Sequence, residues 1–305
     1  MGGNSTKRSP LLLNRNRQPM PQLTTRPRFV VAVLFAVYLF LYPWSIVLVA
    51  LDRVPVWGMW VGGAQLILQG TLAGMWLTVT FGRPGAIAAV WVLGLSWLIE
   101  HIGALTGFPF GTYTYTNVLE PKLIGVVPLA IPFAWLLTIT AALGLGELIL
   151  GRELPTDRPN RYPNATRVFV AAVFALLLDV TIEPFAVHIN HYWVWSTSTQ
   201  PAYYGIPTSN FVAWFFTSLL LSWIVLRYQT SDRALRRATP PQPFWPWLPV
   251  TLYLSNLTMF LVVNMARGQE AAAVIGGLML FALACHWSLP RLVRLLRGVE
   301  QKSGV

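Results

Sequence analysis

Residues 168–189 read VFVAAVFALLLDVTIEPFAVHI, an apolar run of the length a helix needs to cross about 30 Å of hydrocarbon, roughly 20 residues. Two acids interrupt it, Asp179 and Glu183. They are four positions apart and so share one face of a helix. Placing a charged side chain at the centre of a bilayer helix costs roughly 2.5–3.5 kcal/mol on insertion scales. The stretch therefore implies both a lipid solvent and a reason for keeping carboxyl groups inside it.

Working outward, comparable runs occur at Phe29–Leu51, Trp57–Val79, Ala86–Leu105, Leu123–Leu150, Ile206–Leu226, Trp247–Met265 and Ala271–Leu289. With Val168–Ile189 they predict an all-α polytopic membrane helix bundle of about eight transmembrane helices. Composition agrees: the 305 residues are 55% hydrophobic and 11% charged, with a mean hydropathy of +0.54, whereas soluble domains are about a quarter charged. Residues 28–290 read as one membrane domain, without an internal repeat. Residues 1–27 are polar, basic and Pro-containing, and with no small-residue cleavage site after the first apolar run they read as a disordered cytoplasmic tail instead of a signal peptide. Residues 291–305 read as a second basic cytoplasmic tail.

The net charge of +11 raises the question of nucleic acid, and its distribution answers it. With the amino terminus inside, 19 of the 22 Lys and Arg residues fall on cytoplasmic segments, leaving Arg53, Lys122 and Arg267 outside. That asymmetry follows the positive-inside rule, places both termini in the cytoplasm and supports an even helix count in the cell membrane. Basic residues scattered over short loops form no nucleic-acid stripe. The single Cys285 forms no intrachain disulfide.

A third intramembrane acid, Glu100, lies near the outer end of the third predicted helix beside His101. On that side the links Thr106–Lys122 and Asn190–Gly205 are rich in Gly, Pro and aromatic residues and nearly uncharged. Non-helical backbone at membrane depth must be covered by protein or line a cavity, so both loops are expected to fold back over the bundle. Tyr113, Tyr115, His188, His191, Trp193, Trp195, Tyr204, Asn210 and Trp214 then converge with the three acids at the outer end. Two carboxyls on one helical face in a poorly solvated place share a proton, which keeps an acid available as a donor. Aromatic faces stabilise cations within about 6 Å, so the composition suits a reaction passing through a carbocation. Other readings remain open here. The Trp and Tyr residues suit interfacial anchors, the acid pair suits a structural bond or a proton path, and Glu147 suits a solvated helix end. Asn256 and Asn264 suit interhelical hydrogen bonds. His188 and His191 have metal spacing but no accompanying ligand set, so no metal is assigned.

These same residues carry a resemblance to a known family, the membrane carotenoid biosynthesis proteins that include CruF-type carotenoid 1,2-hydratases and bisanhydrobacterioruberin hydratases. The motifs are Glu100 to Gly103, Phe110 to Tyr115, Gly125 to Pro132, Asp179 to Pro184, Trp193 with Trp195, Tyr203 to Pro207, and Asn210 to Trp214. Glu183 stands where the family commonly has Asp, and Ala213 where it has Gly. The resemblance implies addition of water to the terminal double bond of an acyclic carotenoid that enters from lipid, giving a tertiary alcohol without a cofactor. Asp179 is the expected proton donor, because it lies a turn deeper than Glu183; Glu183 is placed to meet water, with Glu100 and His101 the other candidates for orienting it. The other classes considered are a membrane prenyltransferase-like enzyme, for which no Asp-rich motif is present, and a transporter or carotenoid-binding protein that does no chemistry.

Overall fold

A computed structural model of the chain describes residues 26–151, 162–196, 203–229 and 247–303. Eight α-helices run through them: α1 (Arg26–Ala50), α2 (Val61–Phe81), α3 (Arg83–Thr106), α4 (Ala130–Ile149), α5 (Asn164–Pro184), α6 (Thr208–Gln229), α7 (Leu248–Ala266) and α8 (Glu270–Ser303). Among the described residues, seven of these are long and apolar enough to cross a membrane. The exception is α2, whose sequence carries Gln65, Gln69 and four glycines. Both amides bond to neighbouring helices: Gln65 Nε2 donates to Ser45 Oγ of α1 (3.0 Å), and Gln69 Oε1 accepts from Asn256 Nδ2 of α7 (2.6 Å). The predicted tail 1–27 lies almost wholly outside the described residues.

Helix α4 is the axis of the bundle: 83% of its most apolar window is buried, against 11% for α1 and 22% for α8. It packs on α2, α3, α5, α6 and α7. Small residues permit this closeness, since a side chain at Gly70 or Gly144 would run into Phe133 or Pro249 of the facing helix. Both asparagines of α7 bond between helices, Asn256 to Gln69 and Asn264 to the Thr181 carbonyl at 2.9 Å.

Three local features depart from the sequence expectation. The run Leu123–Leu150 is not one helix. Lys122–Leu123 and Val127–Pro128 form a small hairpin (β2 and β3) that turns at Ile124 and Gly125, whose φ angles are 49° and 71°, and α4 begins only at Ala130. Helix α8 continues past the predicted Leu289 to Ser303. Glu147 is not solvated: it is 2% exposed and ion-paired with the equally buried Arg167 at the start of α5. Arg167 also donates to Asn164 Oδ1 (2.9 Å), so its guanidinium ties the two helix ends together.

The feature that organises the outer end is a two-stranded antiparallel ribbon. Tyr113–Tyr115 (β1), from the loop after α3, pairs with Trp193–Trp195 (β4), from the loop after α5. The described parts of both loops fold back over the bundle, and they do so by pairing with each other. Thr116 N and Ser196 N extend the ladder to Tyr192 O (3.0 Å) and Thr112 O (2.9 Å).

Candidate active site

Side chains alternate across a strand, so Tyr113 and Tyr115 of β1 point to the face opposite Thr114. The pattern buried, exposed, buried along β1 shows that this face is the one turned into the bundle. The register sets Tyr113 opposite Trp195 and Tyr115 opposite Trp193. Four aromatic side chains thus form one patch, with ring centroids of the cross-strand pairs 5.1 and 6.0 Å apart.

All four carry a hydrogen-bond donor, and each donor meets a carboxyl. Tyr113 and Tyr115 hydroxyls donate to Glu100 Oε2 of α3 at 2.6 and 2.8 Å. Trp135 Nε1 of α4 donates to Glu100 Oε1 at 2.8 Å. Trp193 and Trp195 donate through Nε1 to Glu183 Oε2 of α5, both at 3.2 Å, and Asn210 Nδ2 of α6 donates to Glu183 Oε1 at 2.9 Å. Each acid therefore receives three donors. Burial, and next the neighbouring Glu100 carboxyl, push both tyrosine hydroxyls well above the ordinary phenol range, so they act as protonated donors. A third carboxyl, Asp179, is one turn before Glu183 and fully buried. Its Oδ2 makes a long 3.4 Å contact with the same Asn210 Nδ2, and its Oδ1 has no partner among the described residues.

The helix that presents Asp179 and Glu183 is shaped by Pro184. A proline has no N–H for the carbonyl four residues back, and the Val180 carbonyl so released accepts instead from the Tyr203 hydroxyl at 2.9 Å. Beyond Pro184 the chain widens into a π-helical turn, Phe185–Ile189, which leads into the ribbon.

A cavity of about 530 Å³ lies against these groups. Glu100, Glu183, Tyr113, Tyr115, Trp193, Trp195, Asn210 and Trp214 line it. Trp214 of α6 stacks on Trp135 at 4.0 Å, which makes a double aromatic wall beside Glu100. Asp179 is not part of the lining; it lies behind Glu183. Towards the outer end the lining includes Asp52, paired with Arg267 at 2.8 Å, and Tyr192, whose hydroxyl burial pushes up to about 12.

Three expected site residues lie elsewhere. Tyr204 does not line the cavity: its hydroxyl accepts from the backbone N–H groups of Ala271 and Ala272, at 3.0 and 3.4 Å, and so caps the amino end of α8. His188 is exposed and its ring Nε2 meets the Tyr204 carbonyl at 2.9 Å. His101 turns away from Glu100 and lies beside the Trp97 ring, 5.2 Å between centroids. His191 does reach the lining, with its Nδ1 on the Val187 carbonyl at 2.9 Å. The residue that sequence reasoning missed is Trp135. Its signal was position: three residues after Pro132 at the start of α4, it falls in the outer turn, level with the loops.

A family model described as "carotenoid biosynthesis protein" matches residues 61–283, from the start of α2 into α8. The bisanhydrobacterioruberin hydratase of Haloarcula japonica is similar, 32% identical over 165 residues. That alignment covers 53% of this chain and 51% of the relative, so the chain spans about half the length of the curated relative it matches. No solved structure matches.

Proposed function

This chain belongs to the carotenoid biosynthesis protein family, and we propose that it is a multi-pass cell-membrane hydratase, a hydro-lyase adding water to the terminal double bond of an acyclic carotenoid end. The observation that carries this reading is the pair of carboxyls, Glu100 and Glu183, on one aromatic cavity wall, each held by donors of a single ribbon.

Hydration of a trisubstituted alkene needs an acid that reaches the less substituted carbon, a surface that stabilises the tertiary cation, and an acceptor for the proton that water loses. Glu183 is the acid, because it faces the cavity. Asp179 stands behind it and is joined to it through Asn210, so it acts through Glu183 as the second holder of the pair's proton. The π electrons of the alkene take the Glu183 proton to form the new C–H bond, leaving the positive charge on the tertiary carbon. Aromatic faces stabilise a desolvated cation by roughly 2 kcal/mol or more, and Trp135, Trp214, Tyr113 and the two ribbon tryptophans supply them. Water then forms the C–O bond and gives its surplus proton to Glu100. The alkene gains H and OH, and the protein keeps its total of protons without a redox partner. The rest of the polyene extends into lipid, which supports a membrane bundle as the scaffold.

The test is expression in a host that makes acyclic carotenoids, with mass analysis of the pigments. A gain of one water per reacted end is expected, and pigments unchanged by a folded wild-type protein would overturn the reading. Glu183→Gln keeps shape without a transferable proton, and general acid catalysis typically contributes about 10²–10⁴-fold. Hydration at the wild-type rate by folded Glu183→Gln would remove Glu183 from the role of acid. Asp179→Asn is expected to keep the fold and also to lower hydration, by leaving Glu183 without its partner.

A further inference from the structure

Among the polar groups of the cavity that the proposed chemistry leaves unused is a pair of neutral amides. Gln69 of α2 and Asn256 of α7 both line the cavity, and both are only 6% exposed. Neutral amides inside a membrane bundle commonly bond to each other across helices, and these do: Asn256 Nδ2 donates to Gln69 Oε1 at 2.6 Å and to its own helix at Leu252 O at 2.8 Å. The second bond settles which way both amides point. Asn256 must turn its nitrogen to the Leu252 carbonyl, so its oxygen faces elsewhere, and Gln69 must turn its oxygen to Asn256, so its nitrogen faces elsewhere.

Gln69 Nε2 and Asn256 Oδ1 are thereby left as a donor and an acceptor with no hydrogen bond to a described residue. They are also not sealed in by packing, unlike Gln65 Oε1 and Asp179 Oδ1. In a cavity wall, a free donor beside a free acceptor fits an O–H oxygen, which accepts from one and donates to the other. Depth adds to this. Gly70, next to Gln69, packs directly on Phe133, two residues before the Trp135 that holds Glu100. The amide pair is therefore within about a helical turn, roughly 5 Å, of the height of Glu100. It stands on the α2–α7 wall, while the acids come from α3 and α5.

We propose that Gln69 and Asn256 hold the water that captures the cation, at the height of Glu100, which takes the proton that this water releases. This rests on the hydratase reading above and names positioning residues for its second step. Neutral amides suit that task because they hold water without taking a proton from the acid or giving it a salt partner.

The experiment separates the two steps. In D₂O the acid delivers a deuteron, and a cation that fails to meet water loses a hydron and returns to the alkene with deuterium incorporated. Purified protein in detergent is given an acyclic hydrocarbon carotenoid, and deuterium in the recovered alkene is compared with the hydrated product. Gln69→Met is expected to raise the ratio of exchange to hydration about tenfold, the scale of one lost hydrogen bond in a rate. Asn256→Leu, which removes the other half, is expected to do the same. Gln65→Met loses an interhelical bond of the same kind, to Ser45, and is expected to leave the ratio unchanged. A fall of exchange and hydration together in both Gln69→Met and Asn256→Leu would make the pair merely structural and overturn the proposal. So would an unchanged ratio with a raised KM confined to carotenoids that already bear a hydroxyl, which would make the pair a ligand-hydroxyl site. If the wild-type protein neither exchanges nor hydrates, the hydratase reading itself has failed, a result distinct from either of these.

Discussion

Asn210→Leu isolates the contact that joins the two acids of α5. One amide nitrogen serves both Glu183 Oε1 at 2.9 Å and Asp179 Oδ2 at 3.4 Å. Leucine keeps the branched heavy-atom skeleton of asparagine in a site only 2% exposed, so the change removes the donor without opening a cavity. The longer contact lies at the edge of hydrogen-bond geometry and contributes little. The shorter one goes to a carboxyl, and hydrogen bonds to charged groups are worth about 1.5–3 kcal/mol. At 1.36 kcal/mol per tenfold, full loss of that bond in the transition state lowers the rate by about 10- to 150-fold. The loss is expected in kcat and not in KM, because Asn210 orients the acid and leaves the bulk of the apolar binding surface intact. Initial rates of hydrated pigment formation by purified protein, with melting temperature as a control for folding, measure it. A folded Asn210→Leu protein within twofold of the wild-type kcat would refute the view that this bridge positions the acid.

Other outcomes follow from contacts away from the acids. Arg167→Ala removes the buried ion pair between Arg167 and Glu147; breaking one side of a buried pair costs about 3–5 kcal/mol, which should appear as a large drop in thermal stability in detergent. An unchanged melting curve would mean that the pair does not fasten α4 to α5. Tyr204→Phe removes the acceptor at the start of α8 and should cost about 1 kcal/mol of stability while leaving hydration per folded molecule unchanged; a specific loss of activity would return Tyr204 to the site. Reporters fused at either terminus should both read as cytoplasmic, and an external carboxyl terminus would refute the eight-crossing topology.

The bundle was legible because length and hydropathy alone demand it, segment by segment. Where the sequence misled, the reason is local chemistry that hydropathy does not weigh. The run from Leu123 is apolar throughout, yet Gly125 and Pro128 turn it into a hairpin before α4 can start. On the same measure α2 falls short because Gln65 and Gln69 are polar, although both bond to neighbouring helices. At the site, the four-residue spacing of Asp179 and Glu183 and the aromatic loops were sufficient to locate the outer end. They did not reveal that β1 and β4 pair, since that register joins segments separated by two helices and is set by tertiary packing. Nor could proximity in the chain tell Tyr115, which turns inward to Glu100, from Tyr204, which turns to α8. Trp135 looked like any tryptophan of an apolar helix until Glu100 was seen against its indole nitrogen.

The ribbon also sets the order in which the site can be completed. Its strands belong to two loops on the same side of the bilayer, one emerging after α3 and the other only after α4 and α5 have followed. During synthesis the first strand waits, with its tyrosines able to reach Glu100 but with no partner for its backbone edge and no indole donors for Glu183. Only export of the second loop supplies both at once. A chain that ends before the second strand has donors for Glu100 but no indoles for Glu183, so the aromatic wall is complete only once α5 and the loop after it are in place.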